Sequence, residues 1–246
     1  MFTTQSPIID KFAKDKPQII SLLDSLFLEK TSLYIDYANV LGLTKDEIDP
    51  WNFDIRKLDK FLKCFDGISK KRLYYGKDVG NQGSELIQEI VEKQTGFELR
   101  TKKVKCINIK IDMSGIPKES TQVLKSFIDI VFLKKLKVED IEYLNNILRR
   151  TNREGEYIIK KRKCNFDVEI ARDMDRDLEA GFGSFVLWSN DSDFVDPVES
   201  LLNLGKSVTV FAPRGKVTSE FNKLKEEKGL NIFDASSLKD ILKRNR

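Results

Sequence analysis

The sequence predicts an α/β fold: a central, mostly parallel sheet covered by helices on both faces, with a helical insertion. Three observations predict it. Short β-rich runs alternate with single amphipathic helices, an order that needs crossover connections and therefore parallel strands. Two of those runs end in aspartates, at Asp36 and Asp191. Residues 111–155 interrupt the alternation with helical spacing alone.

Residues 1–31 read as a helical extension. After a polar lead, residues 17–27 place apolar side chains three and four apart, with Pro17 near the first turn. The rest, 32–246, reads as the main domain. Residues 32–36 form a short strand ending in an acid, 53–65 have helical spacing, and 72–75 are a second strand ended by Gly76. A helix is expected over 84–94, and one or two strands over 97–109. Within the insertion, 117–133 and 139–150 are expected helices joined at 134–137. A helix over about 167–180 follows, then a strand at 185–189 and a helix at 197–204. The chain closes with strand 208–211, helix 219–227, strand 231–233 and helix 237–243.

Composition narrows the chemistry. The chain has 246 residues, one large domain or two small ones at about 100–200 residues each, and it needs neither disulfides nor a structural metal to bury a core. There is no histidine. That excludes Ser-His-Asp and Cys-His nucleophile systems, His-ligated zinc or iron, and any imidazole base. Cys64, Cys106 and Cys164 form no C-x-x-C pair, so free thiols in a reducing cytoplasm are expected. The apolar stretch 19–28 is broken by Asp24 and lacks a basic lead, and no apolar run approaches a membrane span. No G-x-x-x-x-G-K-[ST] loop and no strand followed by G-x-G-x-x-G is present.

The net charge is only +4, from 43 Lys and Arg against 39 Asp and Glu. Basic residues nevertheless cluster at 70–72, 100–105, 149–153 and 160–163, and acids at 173–177 and 191–196. Basic runs beside a compact acidic focus suit an enzyme that cuts a polyanion. In a parallel sheet, ligands collect at the carboxyl ends of strands, where Asp36, Asp191 and Asp193 are expected. Asp167 shares a helical stripe with Ile170, Ala171, Met174 and Leu178, the stripe that packs on the sheet. Two carboxylates about 5 Å apart repel by about 3 kcal/mol at an effective dielectric near 20. Several such pairs approach the ~5–15 kcal/mol that holds a domain together. Convergence therefore requires a divalent cation or retained protons, and an all-oxygen donor set favours Mg²⁺ or Mn²⁺ over zinc.

Four stretches resemble one family. Tyr34-Ile35-Asp36-Tyr37-Ala38-Asn39-Val40 resembles the opening motif of the NYN domain, a branch of the PIN-like ribonuclease superfamily. Phe166-Asp167-Val168-Glu169-Ile170-Ala171-Arg172-Asp173-Met174 is similar to its central helix, and Leu187-Trp188-Ser189-Asn190-Asp191-Ser192-Asp193-Phe194-Val195 to its L-x-S-G-D-S-D-F-V signature. Leu204-Gly205-Lys206-Ser207-Val208-Thr209-Val210-Phe211 continues as the family does. The resemblance implies a three-layer, PIN-like Rossmannoid fold and a metal-dependent ribonuclease that hydrolyses RNA, with Asp36, Asp167, Asp191 and Asp193 as the acids that bind Mg²⁺ or Mn²⁺. It gives supporting or substrate-binding roles to Asn39, Ser189 and Asp173. Arg214, Lys216, Arg72 and Lys103 are expected RNA contacts, and Tyr37, Tyr75 and Trp188 base-stacking rings if exposed, although strand positions favour core packing for the last two. Two departures stand out: Asn190 replaces the usual Gly, and Tyr37 fills an often small position.

A second reading is a non-catalytic RNA-binding or scaffold protein that retains the fold, and a homo-oligomer formed through the insertion is compatible with either. Aspartyl-phosphate phosphatases and receiver domains are disfavoured, because Ala38 and Tyr37 stand where those families need acids. Asp196 is the expected cap of the helix after the acidic loop, leaving Asp191 and Asp193 for metal.

Overall fold

The computed structural model describes residues 2–4, 6–27, 30–45, 51–153 and 158–244. The strands are β1 (Thr31–Asp36), β2 (Ile68–Lys77), β3 (Glu98–Lys103), β4 (Lys105–Lys110), β5 (Ile158–Lys163), β6 (Ser184–Trp188), β7 (Ser207–Ala212) and β8 (Asn231–Asp234). The helices are α1 (Pro7–Asp15), α2 (Pro17–Leu26), α3 (Tyr37–Lys45), α4 (Ile55–Leu62), α5 (Gln82–Gln94), α6 (Ile130–Leu133), α7 (Val138–Arg153), α8 (Asp167–Glu179), α9 (Val195–Asn203), α10 (Ser219–Lys228) and α11 (Lys239–Leu242). Contacts divide the chain into two compact units, one of Met1–Lys103 with Cys164–Arg246 and one of Val104–Lys163.

The first unit is built on a six-stranded sheet in the order β3-β2-β1-β6-β7-β8, with every neighbouring pair parallel. Strands buried on both faces read as continuous apolar runs, as Leu33-Tyr34-Ile35 and Phe185-Val186-Leu187-Trp188 do. Alternation sends their side chains to two cores. Leu33, Ile35, Val186, Trp188 and Phe211 meet α1, α2, α3, α4, α5 and α11 on one face. Tyr34, Phe185, Leu187, Val208 and Val210 meet α8, α9 and α10 on the other. The result is the expected three-layer α/β architecture. The order turns back between β1 and β6, so the crevice beyond their carboxyl ends is a topological switch point.

Several elements differ from the sequence reading. The polar lead contains α1, whose Ile9 and Phe12 are buried at helical spacing, and both N-terminal helices join the core of the main unit. Helix α3 begins directly after Asp36, where no helix was expected. Strand β2 runs through Gly76 to Lys77. The expected helix at 117–133 is instead a set of turns, a 3-10 turn at Leu124–Ser126 and the short α6. Local polar side chains take the backbone N–H groups a longer helix would need: Ser120 Oγ accepts from Gln122 N at 3.1 Å and Asp129 Oδ1 from Val131 N at 2.7 Å.

The second unit is wider than the 111–155 stretch because β4 and β5 pair antiparallel at its base. Its core is small, Leu124, Leu133 and Ile141 with flanking leucines. No helix among the described residues is long and apolar enough to cross a membrane.

Candidate metal centre

Strand β1 delivers Asp36 to the switch point and hands it to α3. Asp36 Oδ1 accepts from Asn39 N at 3.3 Å, the hydrogen bond of an N-cap. Strand β6 ends at Trp188, and the next residues turn at once: Ser189 Oγ accepts from Asp191 N at 3.2 Å, and Asp191 Oδ1 from Asp193 N at 3.1 Å. Asp191 thus caps the 3-10 turn Ser192–Phe194, which runs into α9. Helix α9 begins at Val195 with Phe194 at its cap, so Asp196 lies in its first turn and not at the cap. The two strand ends are tied together where Asn190 N donates to Asn39 Oδ1 at 3.1 Å.

Asp167 arrives from the opposite direction as the first residue of α8. Asn165 Oδ1 accepts from Asp167 N at 2.8 Å, which stops the chain from entering the helix earlier. It is half-buried at the helix start, whereas Ile170 and Met174 on its stripe are buried under the sheet.

These elements bring Asp167, Asp191 and Asp193 together, with one carboxylate oxygen from each lying within 4.8 Å of the others. At that separation each charged pair costs about 3 kcal/mol at an effective dielectric near 20. Asp36 stands beside the three. Its carboxyl is pushed up to about 6, by burial first and by the charges of Asp167 and Asp191, against the cap hydrogen bond from Asn39. Asp167 is also raised, by burial and then by Asp191 and Asp193. The donor set is carboxylate oxygen throughout, and the nearby Cys164 thiol is held protonated above its usual range by burial. Such a set fits a hard divalent cation.

The other expected residues fall in different places. Ser189 is fully buried and Asn39 half-buried, and both position the acidic loops. Asp173 is not brought to the acids. Its carboxylate accepts from Tyr74 OH at 2.9 Å and from Arg100 Nε and Arg176 Nη1 at 3.2 Å, and these bonds outweigh burial and hold it below its usual range. Arg72 is not a surface contact for RNA: its side chain is buried beside Asp177. Tyr37 and Trp188 are buried and Tyr75 packs edge-on to Tyr37, so none of these rings is presented for base stacking. Lys103 is exposed at the end of β3. Arg214 and Lys216 project from a turn beyond β7, closed by Lys216 N donating to Pro213 O at 3.0 Å. Gly215 occupies the left-handed position that this turn requires, at φ +76°.

Sequence reasoning assigned no role to three contributors, although it singled out Asn190 as a departure from the family's glycine. Asn190, in the place of a glycine, donates from Nδ2 to Lys216 O at 2.7 Å and so docks the cationic turn on the acidic loop. Asn165 was legible as a polar residue just before a helix. Asp177 sits on the buried stripe of α8, four residues after Asp173, and is fully buried. It accepts from Ser32 Oγ at 2.6 Å, Tyr34 OH and Lys70 Nζ at 2.7 Å and Arg72 Nη2 at 3.0 Å. Those bonds outweigh the burial that would raise its carboxyl and hold it far below the usual range.

Comparison with known proteins agrees with this architecture. No curated protein shows significant similarity to the sequence. The crystal structure of a protein of unknown function from Vibrio parahaemolyticus is similar in fold, with a TM-score of 0.50 and 16% identity over 88% of this chain and 97% of that one. The family model of the NYN domain matches residues 114–227, a span that holds Asp167, Asp191 and Asp193 and leaves Asp36 ahead of it. The chain thus carries a match to the NYN domain, a branch of the PIN-like nuclease superfamily, and it is the family that the four sequence motifs resemble.

Proposed function

We propose that the protein is a divalent-metal-dependent ribonuclease that hydrolyses RNA phosphodiester bonds. One observation carries the reading: the carboxylates of Asp167, Asp191 and Asp193 converge within 4.8 Å at the carboxyl ends of β1 and β6. Among the described residues, none of these three acids has a salt-bridge partner within 4 Å, and burial with the neighbouring acids pushes the carboxyl of Asp167 up. Mg²⁺ or Mn²⁺ would be held by Asp167, Asp191 and Asp193, with Asp36 beside them. When bound, such an ion lowers the pKa of a water and stabilises charge on the phosphate.

The chain's own residues do the rest. Ser189 and Asn39 fix the acidic loops, so the carboxylates are placed before substrate arrives. Asp36, whose carboxyl retains a proton up to about pH 6, is a proton acceptor in the neutral range. Arg214 and Lys216 would hold the RNA backbone, giving affinity that falls steeply with salt.

The test is cleavage of single-stranded and structured RNAs with Mn²⁺ or Mg²⁺, against an EDTA control. Wild-type protein should cut, and Asp191→Asn should lose at least 100-fold in rate while still binding RNA. Wild-type protein that binds RNA and never cuts it with either ion would establish the scaffold reading instead.

A further inference from the structure

An open pocket of about 470 Å³ lies beyond the carboxyl ends of β7 and β8, lined by Ala212, Arg214, Val217, Asn222, Lys225 and Asp234 among others. Its size falls in the range of small-molecule sites, about 300–1,000 Å³. Val217 and Ile232, both half-buried, make an apolar wall over the buried Ala212, and Arg214 and Lys225 stand beside it as exposed cations. Among the described residues, neither cation has a carboxylate within salt-bridge distance. Guanidinium and ammonium groups without a salt-bridge partner, beside an apolar wall and the polar side chains of Asn222 and Asp234, suit a ligand that is anionic at one end and carries a flat ring with polar edges at the other.

The pocket is fixed to the acidic site by hydrogen bonds. The Pro213–Lys216 turn forms one side of it, through Arg214 and Gly215. On one flank Arg214 N donates to Asp234 Oδ1 at 3.1 Å, and on the other Asn190 Nδ2 donates to Lys216 O at 2.7 Å. Asn190 precedes Asp191 in the chain. The two strand-end loops are therefore joined, and the turn faces the pocket from beside the acids.

We propose that this pocket is a nucleotide subsite: it receives one nucleotide of a single-stranded RNA next to the bond being cut, with its phosphate on Arg214 and Lys225 and its nucleoside against Val217 and Ile232. The proposal rests on the ribonuclease reading for its meaning, and its binding test does not. Arg214 bonds a phosphate bidentately, as a planar guanidinium does. Lys225 adds a point charge from α10. No aromatic ring among the described residues lines the pocket, so selectivity among bases is modest.

Binding of AMP, inorganic phosphate and adenosine is measured by NMR titration or calorimetry in metal-free buffer. AMP should bind at least ten-fold more tightly than phosphate or adenosine. Arg214→Ala with Lys225→Ala should weaken AMP at least ten-fold. Asn222→Trp, an exposed α10 position whose indole fills the pocket, should do the same without changing the melting temperature. Equal affinity for AMP and phosphate, or AMP binding unchanged in both variants, would overturn the subsite. The two readings fail separately. If Asp191→Asn binds AMP normally and wild type never cleaves RNA, the subsite stands and the ribonuclease reading falls. If RNA is cleaved with an unchanged KM in Asn222→Trp, the subsite falls and the ribonuclease stands.

Discussion

Asp36 is where site chemistry and stability conflict most directly. Its folded pKa, about 6, lies above the ordinary 3.8, so the native state favours its protonated form. Stability from this group is fully present below pH 3.8 and is lost as pH rises to about 6, where the native carboxyl also ionises. The difference corresponds to about 3 kcal/mol. Asp36→Asn keeps an N-cap acceptor for α3 and removes the charge. In metal-free urea titrations it should stabilise the protein at pH 7.5, by up to about 3 kcal/mol, and change little at pH 4. Adding Mn²⁺ should stabilise wild type more than the variant, which keeps Asp167, Asp191 and Asp193 but loses one neighbouring charge. For the same reason protons compete with the cation, so Mn²⁺ affinity by calorimetry should fall between pH 7.5 and 5.5. A flat profile would detach Asp36 from the ion.

At the scale of elements, α8 carries the argument. The helix opens with Asp167 and buries Asp173 and Asp177 against β1, β2 and β3. Removing one partner of a buried ion pair costs about 3–5 kcal/mol, because the other is left uncompensated. Asp177→Ala takes the two-pronged partner from Arg72, whose side chain is only 5% exposed, and leaves it Glu98 at 3.1 Å and Asp173 at 3.8 Å, so it should lose up to about 3–5 kcal/mol by urea denaturation. Asp173→Ala should lose less, about 1–3 kcal/mol for the buried Tyr74 hydroxyl, since Arg100 and Arg176 are 44% and 60% exposed and return to water. Helix α8 itself was legible from its apolar stripe, and Asp167 from its place on that stripe. The roles of Asp173 and Asp177 were not. Their partners come from strands some 100 residues earlier, and no local pattern records which basic side chain will be buried opposite an acid. Arg72 shows the same limit: in the sequence it is one member of a basic run, and only the sheet's alternation turns it inward.

For the whole molecule, the alternation of strands and helices was sufficient to read the main unit, because each crossover constrains the next. The strand order, with its reversal between β1 and β6, came from the structure alone. The segment between Lys103 and Cys164 was legible as an interruption but not in its limits, since the β4–β5 pairing joins residues about 50 apart. Its ends are close: Cys164 Sγ lies 3.9 Å from Lys102 O, and Lys102 Nζ donates to Asn165 O at 3.1 Å. We infer that Val104–Lys163 is an inserted domain. Replacing it by a four-residue glycine–serine linker should leave one cooperative melting transition and an unchanged sheet signature by circular dichroism. Loss of cooperativity would mean that the main unit needs it.

The polar lattice beneath α8 has a thermal consequence. Asp167 opens a helix that Asp173 and Asp177 tie to three strands through buried charges, so its placement is coupled to the sheet. Heat-inactivation and heat-unfolding curves should then superimpose, with no temperature interval in which an intact sheet carries a disassembled set of acids.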